Sequence, residues 1–206
     1  MYTPRFNQVT DRSLLLEAMR SYSFAVLFGG ASEAGPGTPV ATHLPLVVKD
    51  EGDHGLLEGH FAKANPHWKA LAGQETLVVF PGPHSYVSPT LYGDALSVPT
   101  WNYIAVHAYG AVQLVEDDAG KEALLRGLIE AHEPAYLAHW EGLPQGFRTT
   151  MLAGIVGFRI PISRIDGKFK LSQNRPETDQ RNVRIAHGAG TPDQRELAAW
   201  MERLGG

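Results

Sequence analysis

Cysteine is absent from the 206-residue chain, which removes disulfides, thiolate zinc sites, iron–sulfur clusters and cysteine nucleophiles together. Charge is also scarce: 19% of residues are charged and the formal balance is −4, so binding to nucleic acid would need a local basic patch. From Thr76 to Val115 the only formally charged side chain is Asp94. That run is not read as a membrane span, because Pro81, Pro83, Pro89, Pro99, Asn102 and several hydroxyls break it into buried strands and turns. The first residues, Met-Tyr-Thr-Pro-Arg-Phe-Asn-Gln, lack a basic-then-apolar signal pattern, and the expected location is cytoplasmic. Several motifs are missing too. Gly167-Lys168 is followed by Phe169 and makes no P-loop, Gly35-Pro36-Gly37 does not continue as G-x-G-x-x-G, and His132-Glu133 does not continue as H-E-x-x-H. No serine sits in G-x-S-x-G. The nine histidines show no tight ligand spacing, so no metal site is assigned.

Hydrophobic residues reach 43%, enough for a real core, and Gly 22 with Pro 14 favours turns and short strands over a helix bundle. Thr10 or Asp11 caps a helix through Arg20; Phe24–Phe28 (FAVLF) and Val40–Val48 read as strands, with Pro45 marking an edge or kink. Gly29–Pro39 has the composition of a mobile loop. Leu56–Phe61 forms a hairpin with the preceding strand, and Asn65-Pro66 starts a short helix. Strands are expected over 76–80 and 103–115 with an irregular segment, 81–101, between them. A helix over 120–130, a strand over 154–162 and a tight turn at Asp166-Gly167 follow. Late helices cover 177–185 and 191–204, the second opening on the capping-box pattern Thr191-Pro192-Asp193-Gln194. This order predicts an α+β fold with a mainly antiparallel sheet closed into a barrel and helices at its periphery.

Four stretches depart from plain core or surface: ATHLP (41–45), GHFAKANPHW (59–68), VPTWNY (98–103) and KFKLSQNR (168–175). Each mixes aromatic or apolar residues with amides, hydroxyls or basic groups. A flat ligand with an anionic tail calls for that mixture, walls for its ring and cations for its tail.

These stretches, together with the opening Met1-Tyr2-x-Pro4, FPGPHSYVSP (80–89) and the longer VPTWNYIAVHAYG (98–110), resemble the PaiB-type FMN-binding split-barrel family, labelled negative transcriptional regulators of protease synthesis and sporulation. The resemblance spans residues 1 to about 185 in the family's order. One departure is Thr90-Leu91-Tyr92, where the family usually places a Trp before the Tyr. The resemblance implies a split-barrel domain over 1–185, a C-terminal helical tail over 186–206, and a homodimer holding FMN between its subunits.

Carried over residue by residue, Lys63 and Asn65 are the choices for the phosphate end, with Thr42 and His43 lining the groove. Thr100, Trp101 and Asn102 form the isoalloxazine neighbourhood, completed by Lys170, Gln173 and Asn174 from the same or the partner chain. Ser88, with Tyr86, is a weaker candidate. Plain accounts stand beside each: a solvated lysine at 63, a strand facing water at 42–43, a Trp closing the barrel mouth, and an exposed turn at 166–174.

No side chain stands out as acid, base or nucleophile, so no catalytic residue is assigned. Three functions remain open. The first is the family's regulatory role. Between Arg164 and Arg184 six basic residues face three acidic ones, a bias suited to one phosphate more than to a duplex. The second is an FMN-dependent oxidoreductase acting on a small molecule, and the third a haem protein with His43, His60 or His107 as axial ligand.

Overall fold

The structure, a computed structural model, describes residues 1–30 and 38–205. Most of the Gly29–Pro39 loop therefore lies outside the described residues. Ten strands follow in chain order: β1 (Gln8–Val9), β2 (Phe24–Phe28), β3 (Ala41–Pro45), β4 (Val47–Lys49), β5 (Leu56–Ala62), β6 (Glu75–Val87), β7 (Thr100–Ala111), β8 (Gln113–Val115), β9 (Ile155–Pro161) and β10 (Arg164–Lys170). The helices are α1 (Arg12–Ser21), α2 (His67–Leu71), α3 (Asp118–His132), α4 (Leu137–Gly142), α5 (Gln145–Ala153), α6 (Glu177–Gly188) and α7 (Pro192–Gly205). A six-stranded sheet runs β1-β10-β7-β6-β2-β3 and a four-stranded sheet runs β4-β5-β9-β8. The pairings β1–β10, β2–β3, β2–β6, β4–β5, β5–β9 and β8–β9 are all antiparallel.

Two compact units divide the chain. The first comprises Met1–Leu15, Pro81–Val106 and Asp166–Gly206; the second comprises Leu16–Phe80 and His107–Ile165. The expected boundary at 185/186 falls inside α6. Among the described residues no helix is long and apolar enough to cross a membrane.

In the second unit the strands alternate as the sequence predicts. Ala25 and Leu27 of β2 are buried while Phe24 and Phe28 face out. Phe61 and Phe158 meet across the β5–β9 pair at 4.9 Å between ring centroids. Pro45, which lacks an N–H, is where the 40–48 run breaks: β3 joins the larger sheet and β4 the smaller one. A carboxylate is buried here. Glu58 accepts from Arg159 Nε at 2.8 Å and pairs with Lys49 Nζ at 2.8 Å. Burial alone would raise its pKa, but the hydrogen bonds and charges of Lys49 and Arg159 outweigh that and hold it below the usual carboxylate range.

The first unit differs from expectation in two places. β6 continues to Val87 through Pro81 and Pro83, where an irregular segment was expected. Its register with β2 covers residues 77–79, and both prolines lie beyond that stretch. Asp166-Gly167 is not a turn but the middle of β10, with Val9 opposite Gly167. A Cβ there would lie 2.2 Å from Leu15 Cδ2 and 3.0 Å from the Val9 carbonyl oxygen, so the glycine serves close approach and not a bend. At the other end of this unit the capping box forms: Thr191 N donates to Gln194 Oε1 and Gln194 N to Thr191 Oγ1. α7 then buries Leu197, Trp200 and Met201, with Trp200 edge-on to Phe169. His187 of α6 is buried and neither ring nitrogen meets hydrogen-bond geometry among the described residues. Burial pushes its pKa down, opposed in part by the nearby backbone of Tyr86.

Removing Glu58's charge as Glu58→Gln leaves Lys49 and Arg159 facing a neutral group, and we expect a loss of about 2 kcal/mol in urea unfolding at pH 7. Because this carboxyl is held low, its contribution is present above the usual glutamate value and vanishes as pH falls through the folded one. His187 acts at higher pH. The unfolded imidazole takes up protons near 6.5 while the folded one resists, so stability declines as pH drops below that value. His187→Leu is expected to flatten the fall in melting temperature between pH 7 and 5. His60 is shifted down by burial as well, so part of the slope stays. An unchanged profile in His187→Leu contradicts the buried neutral imidazole.

Candidate functional site

Two clusters hold the predicted site residues, one in each unit. In the second unit, Thr42 on β3 is joined to the turn that follows β5. Asn65 Nδ2 donates to Thr42 Oγ1 at 3.2 Å, and Thr42 Oγ1 lies 2.8 Å from His67 Nδ1. His67 Nε2 lies 2.9 Å from the Gly29 carbonyl oxygen, which only accepts. With the imidazole neutral, the chain of donors follows: Nε2 carries the proton, Nδ1 accepts from the threonine hydroxyl, and the hydroxyl oxygen accepts from the asparagine. Asn65 Oδ1 also accepts from the His67 backbone N–H at 3.1 Å, the capping role that the Asn-Pro pair predicts. The polar groups of Thr42 and Asn65 are thus engaged inside the fold.

Lys63 is different. Its N–H donates to the Gly154 carbonyl at 2.8 Å and its carbonyl accepts from Trp68 Nε1 at 3.2 Å, so the backbone is pinned on both sides. Its side chain is exposed and its ammonium has no partner among the described residues. His43 lies apart from this group: the alternation of β3 turns it to the other face, where it stacks on Phe24 at 6.0 Å. His60 on β5 is half-buried, and His107 is on β7.

In the first unit, Thr100, Trp101 and Asn102 open β7 and meet the end of β10. Asn102 is 0% exposed, and its carboxamide exchanges two hydrogen bonds with Ser172: Nδ2 donates to Oγ at 3.0 Å and Oγ donates to Oδ1 at 3.2 Å. Ser172 takes a left-handed backbone, φ 66°, which costs a non-glycine residue about 1 kcal/mol. Lys170 Nζ donates to Thr100 Oγ1 at 2.6 Å and to the Trp101 carbonyl. Gln173 folds back on its own strand, its Oε1 accepting from Leu171 N at 2.7 Å and its Nε2 donating to the Phe169 carbonyl. Asn174 is exposed. The indole of Trp101 stays 50% exposed, with the His84 ring 5.4 Å away.

This end of the first unit is positive. Lys168 donates to the Tyr2 carbonyl at 3.1 Å, and Arg175 lies over the Tyr92 ring at 4.0 Å and reaches Ser97 Oγ at 3.4 Å. Among the described residues none of Lys168, Lys170 and Arg175 pairs with a carboxylate. Burial, then the charges of Lys168 and Arg175, push the Lys170 ammonium below the ordinary lysine range. Ser88 caps the short helical turn Pro89–Leu91, accepting from Thr90 N at 3.2 Å, which is a local task.

The sequence reading thus brought Thr42 together with Asn65, and Thr100 and Trp101 with Lys170. It passed over His67, Ser172 and His84. Strand alternation alone separates Thr42 from His43, and so was a usable signal. Nothing in the sequence marks Ser172 as left-handed.

Residues 1–164 match the family described as "Putative FMN-binding domain". The chain is 38% identical over 206 aligned residues to Protease synthase and sporulation protein PAI 2 of Bacillus subtilis (strain 168), covering 98% of this chain and 97% of that protein. Its structure is similar to the flavocytochrome Anf3 from Azotobacter vinelandii, with a TM-score of 0.62 and 19% identity over 82% of this chain and 72% of that one. It is also similar to the conserved hypothetical protein Rv2991 from Mycobacterium tuberculosis, with a TM-score of 0.60 and 14% identity over 86% of this chain and 95% of that one. The fold is the α+β, antiparallel, split-barrel type that the motifs imply. This chain belongs to the PaiB-type FMN-binding split-barrel family.

Proposed function

We propose that the chain is a cytoplasmic, FMN-binding homodimer, with the flavin at the subunit interface, and that it serves redox chemistry on a small molecule. The observation that carries this reading is which polar and aromatic groups remain available after the fold has used the rest. Lys63 offers a free ammonium on a backbone pinned at both its N–H and its carbonyl. Trp101 offers a half-exposed side chain on a backbone whose carbonyl accepts from Lys170 Nζ. An anionic phosphate and a flat ring system are the chemistry these two groups suit. Lys63 is the candidate for an anionic group in the second unit and Trp101 the candidate for a ring face in the first, each taken by itself.

FMN, when bound, supplies the redox step, and the chain's own residues bind and orient it. Lys170 and the Asn102–Ser172 pair position Trp101. Thr42, His67 and Asn65 stiffen the turn that carries Lys63, so less freedom is lost when an anion is held there. Leu96 is 94% exposed and Val98 70% exposed on the segment leading to Trp101, which supports a second copy covering that surface.

A regulatory reading is favoured by the full-length similarity to PAI 2, and α6 and α7 are joined by a short turn containing Gly190. Against duplex binding, α7 carries Asp193, Glu196 and Glu202 beside Arg195 and Arg203. A gel shift at low salt that salt abolishes would favour regulation; none at low salt ends that reading.

The flavin reading is tested by fluorescence titration with FMN. Lys63→Met is expected to weaken binding at least tenfold, about 1.4 kcal/mol, by removing a charge-assisted contact. Trp101→Ala is expected to weaken it by a similar factor through loss of the ring wall. If the native protein takes up no FMN, or both variants bind it as tightly as the native chain, the assignment is wrong. Sedimentation should give twice the 22.5 kDa chain mass, and Leu96→Asp with Val98→Asp should shift it to the monomer.

A further inference from the structure

The first unit contains a cleft of about 280 Å³ where the end of β10 meets α6 and α7. Its residues lie in 171–205, outside the 1–164 stretch that the FMN-binding family accounts for. That size suits a small molecule, just under the ~300 Å³ at which drug-sized sites begin.

Its walls are chemically unequal. Glu177, Arg181 and Arg184 line it from α6 at helical spacing, which puts them on one face of that helix. Leu171, Met201 and Leu204 supply an apolar wall. Glu177 has a local explanation, as an acid in the first turn of α6, where the helix dipole favours it. The two arginines have none. Neither guanidinium forms an ion pair or side-chain hydrogen bond among the described residues, although both border the cleft. Other polar groups there are already engaged. Gln173 is hydrogen-bonded to Leu171 N and the Phe169 carbonyl, and Gln180 Nε2 donates to the Arg175 carbonyl at 2.8 Å.

We propose that this cleft is a second ligand site, for a small organic anion that sets a carboxylate or phosphate head against Arg181 and Arg184 and an apolar body against Leu171, Met201 and Leu204. Two guanidiniums offer forked donors to either head group, and the net charge of the three ionised residues on α6 is positive, which disfavours an ammonium ligand. A duplex is the competing occupant for free arginines, but it would leave the apolar wall without a partner.

The test uses the full chain and three probes of one tail length: octanoate, octyl phosphate and octylammonium. Calorimetry should show saturable binding of at least one of the two anions, and which one binds identifies the head group; octylammonium should give no saturable heat. The methyl resonances of Met201 and Leu204 should shift with the same midpoint. Arg181→Gln with Arg184→Gln should weaken anion binding at least tenfold while leaving the melting temperature and FMN binding as in the native chain, since Arg181 is exposed, Arg184 is half-buried, and neither guanidinium bonds within the described residues. The proposal is overturned if neither anion binds at millimolar concentration, if octylammonium binds equally well, or if the double variant keeps native affinity. Failure of FMN binding alone leaves this site unaffected, because Lys63 and Trp101, which carry the flavin reading, do not line the cleft.

Discussion

The buried carboxamide of Asn102 and the hydroxyl of Ser172 exchange hydrogen bonds, and the geometry around Trp101 depends on that exchange. An unpaired carboxamide with no exposure would cost a few kcal/mol, so the pair holds Ser172 in a left-handed conformation that the residue does not prefer. With that bend in place the chain turns back at the end of β10. Gln173 then closes over its own strand and Lys170 reaches Thr100 and the Trp101 carbonyl. An indole is left standing partly in solvent on a backbone that cannot drift. A similar economy governs the second unit, where the Asn65–Thr42–His67–Gly29 relay fixes the turn bearing Lys63.

Hydrogen bonds satisfied inside the protein are unavailable to a ligand, and this separates the candidates into two kinds. Thr42 and Asn65 brace the turn of Lys63 in the second unit, and Asn102 and Gln173 brace the end of β10 in the first. Lys63 and Trp101 stay exposed, each in its own unit. Positive charge at Lys168, Lys170 and Arg175 adds a field favourable to anions, since no carboxylate neutralises the three among the described residues.

Much of the fold was legible because its signals are local. FAVLF alternates as a strand, Asn65-Pro66 begins a helix and Thr191 with Gln194 makes a capping box, each decided by neighbours a few residues away. The misreadings concern contacts distant in sequence. Gly167 resembles a turn residue beside Asp166, yet it is glycine because Leu15 and Val9 crowd the strand. Pro81 and Pro83 suggested an irregular segment, but both lie within β6, beyond the residues given in register with β2. For the site, residue types were readable and orientations were not. Of the four polar residues read as ligand contacts, Asn65 bonds to Thr42, Asn102 bonds to Ser172 and Gln173 bonds to its own backbone. Family membership came from motifs in combination, since no single stretch distinguishes a cofactor turn from an ordinary one.

The proposed anion contact of Lys63 is tested most directly by comparing FMN with riboflavin, which lacks only the phosphate. Calorimetric titration of the native protein at low and high salt should show FMN binding at least tenfold tighter at low salt. That gap should narrow as salt screens the exposed ammonium, while riboflavin affinity stays constant. Equal affinities for the two flavins, unaffected by salt, would contradict it.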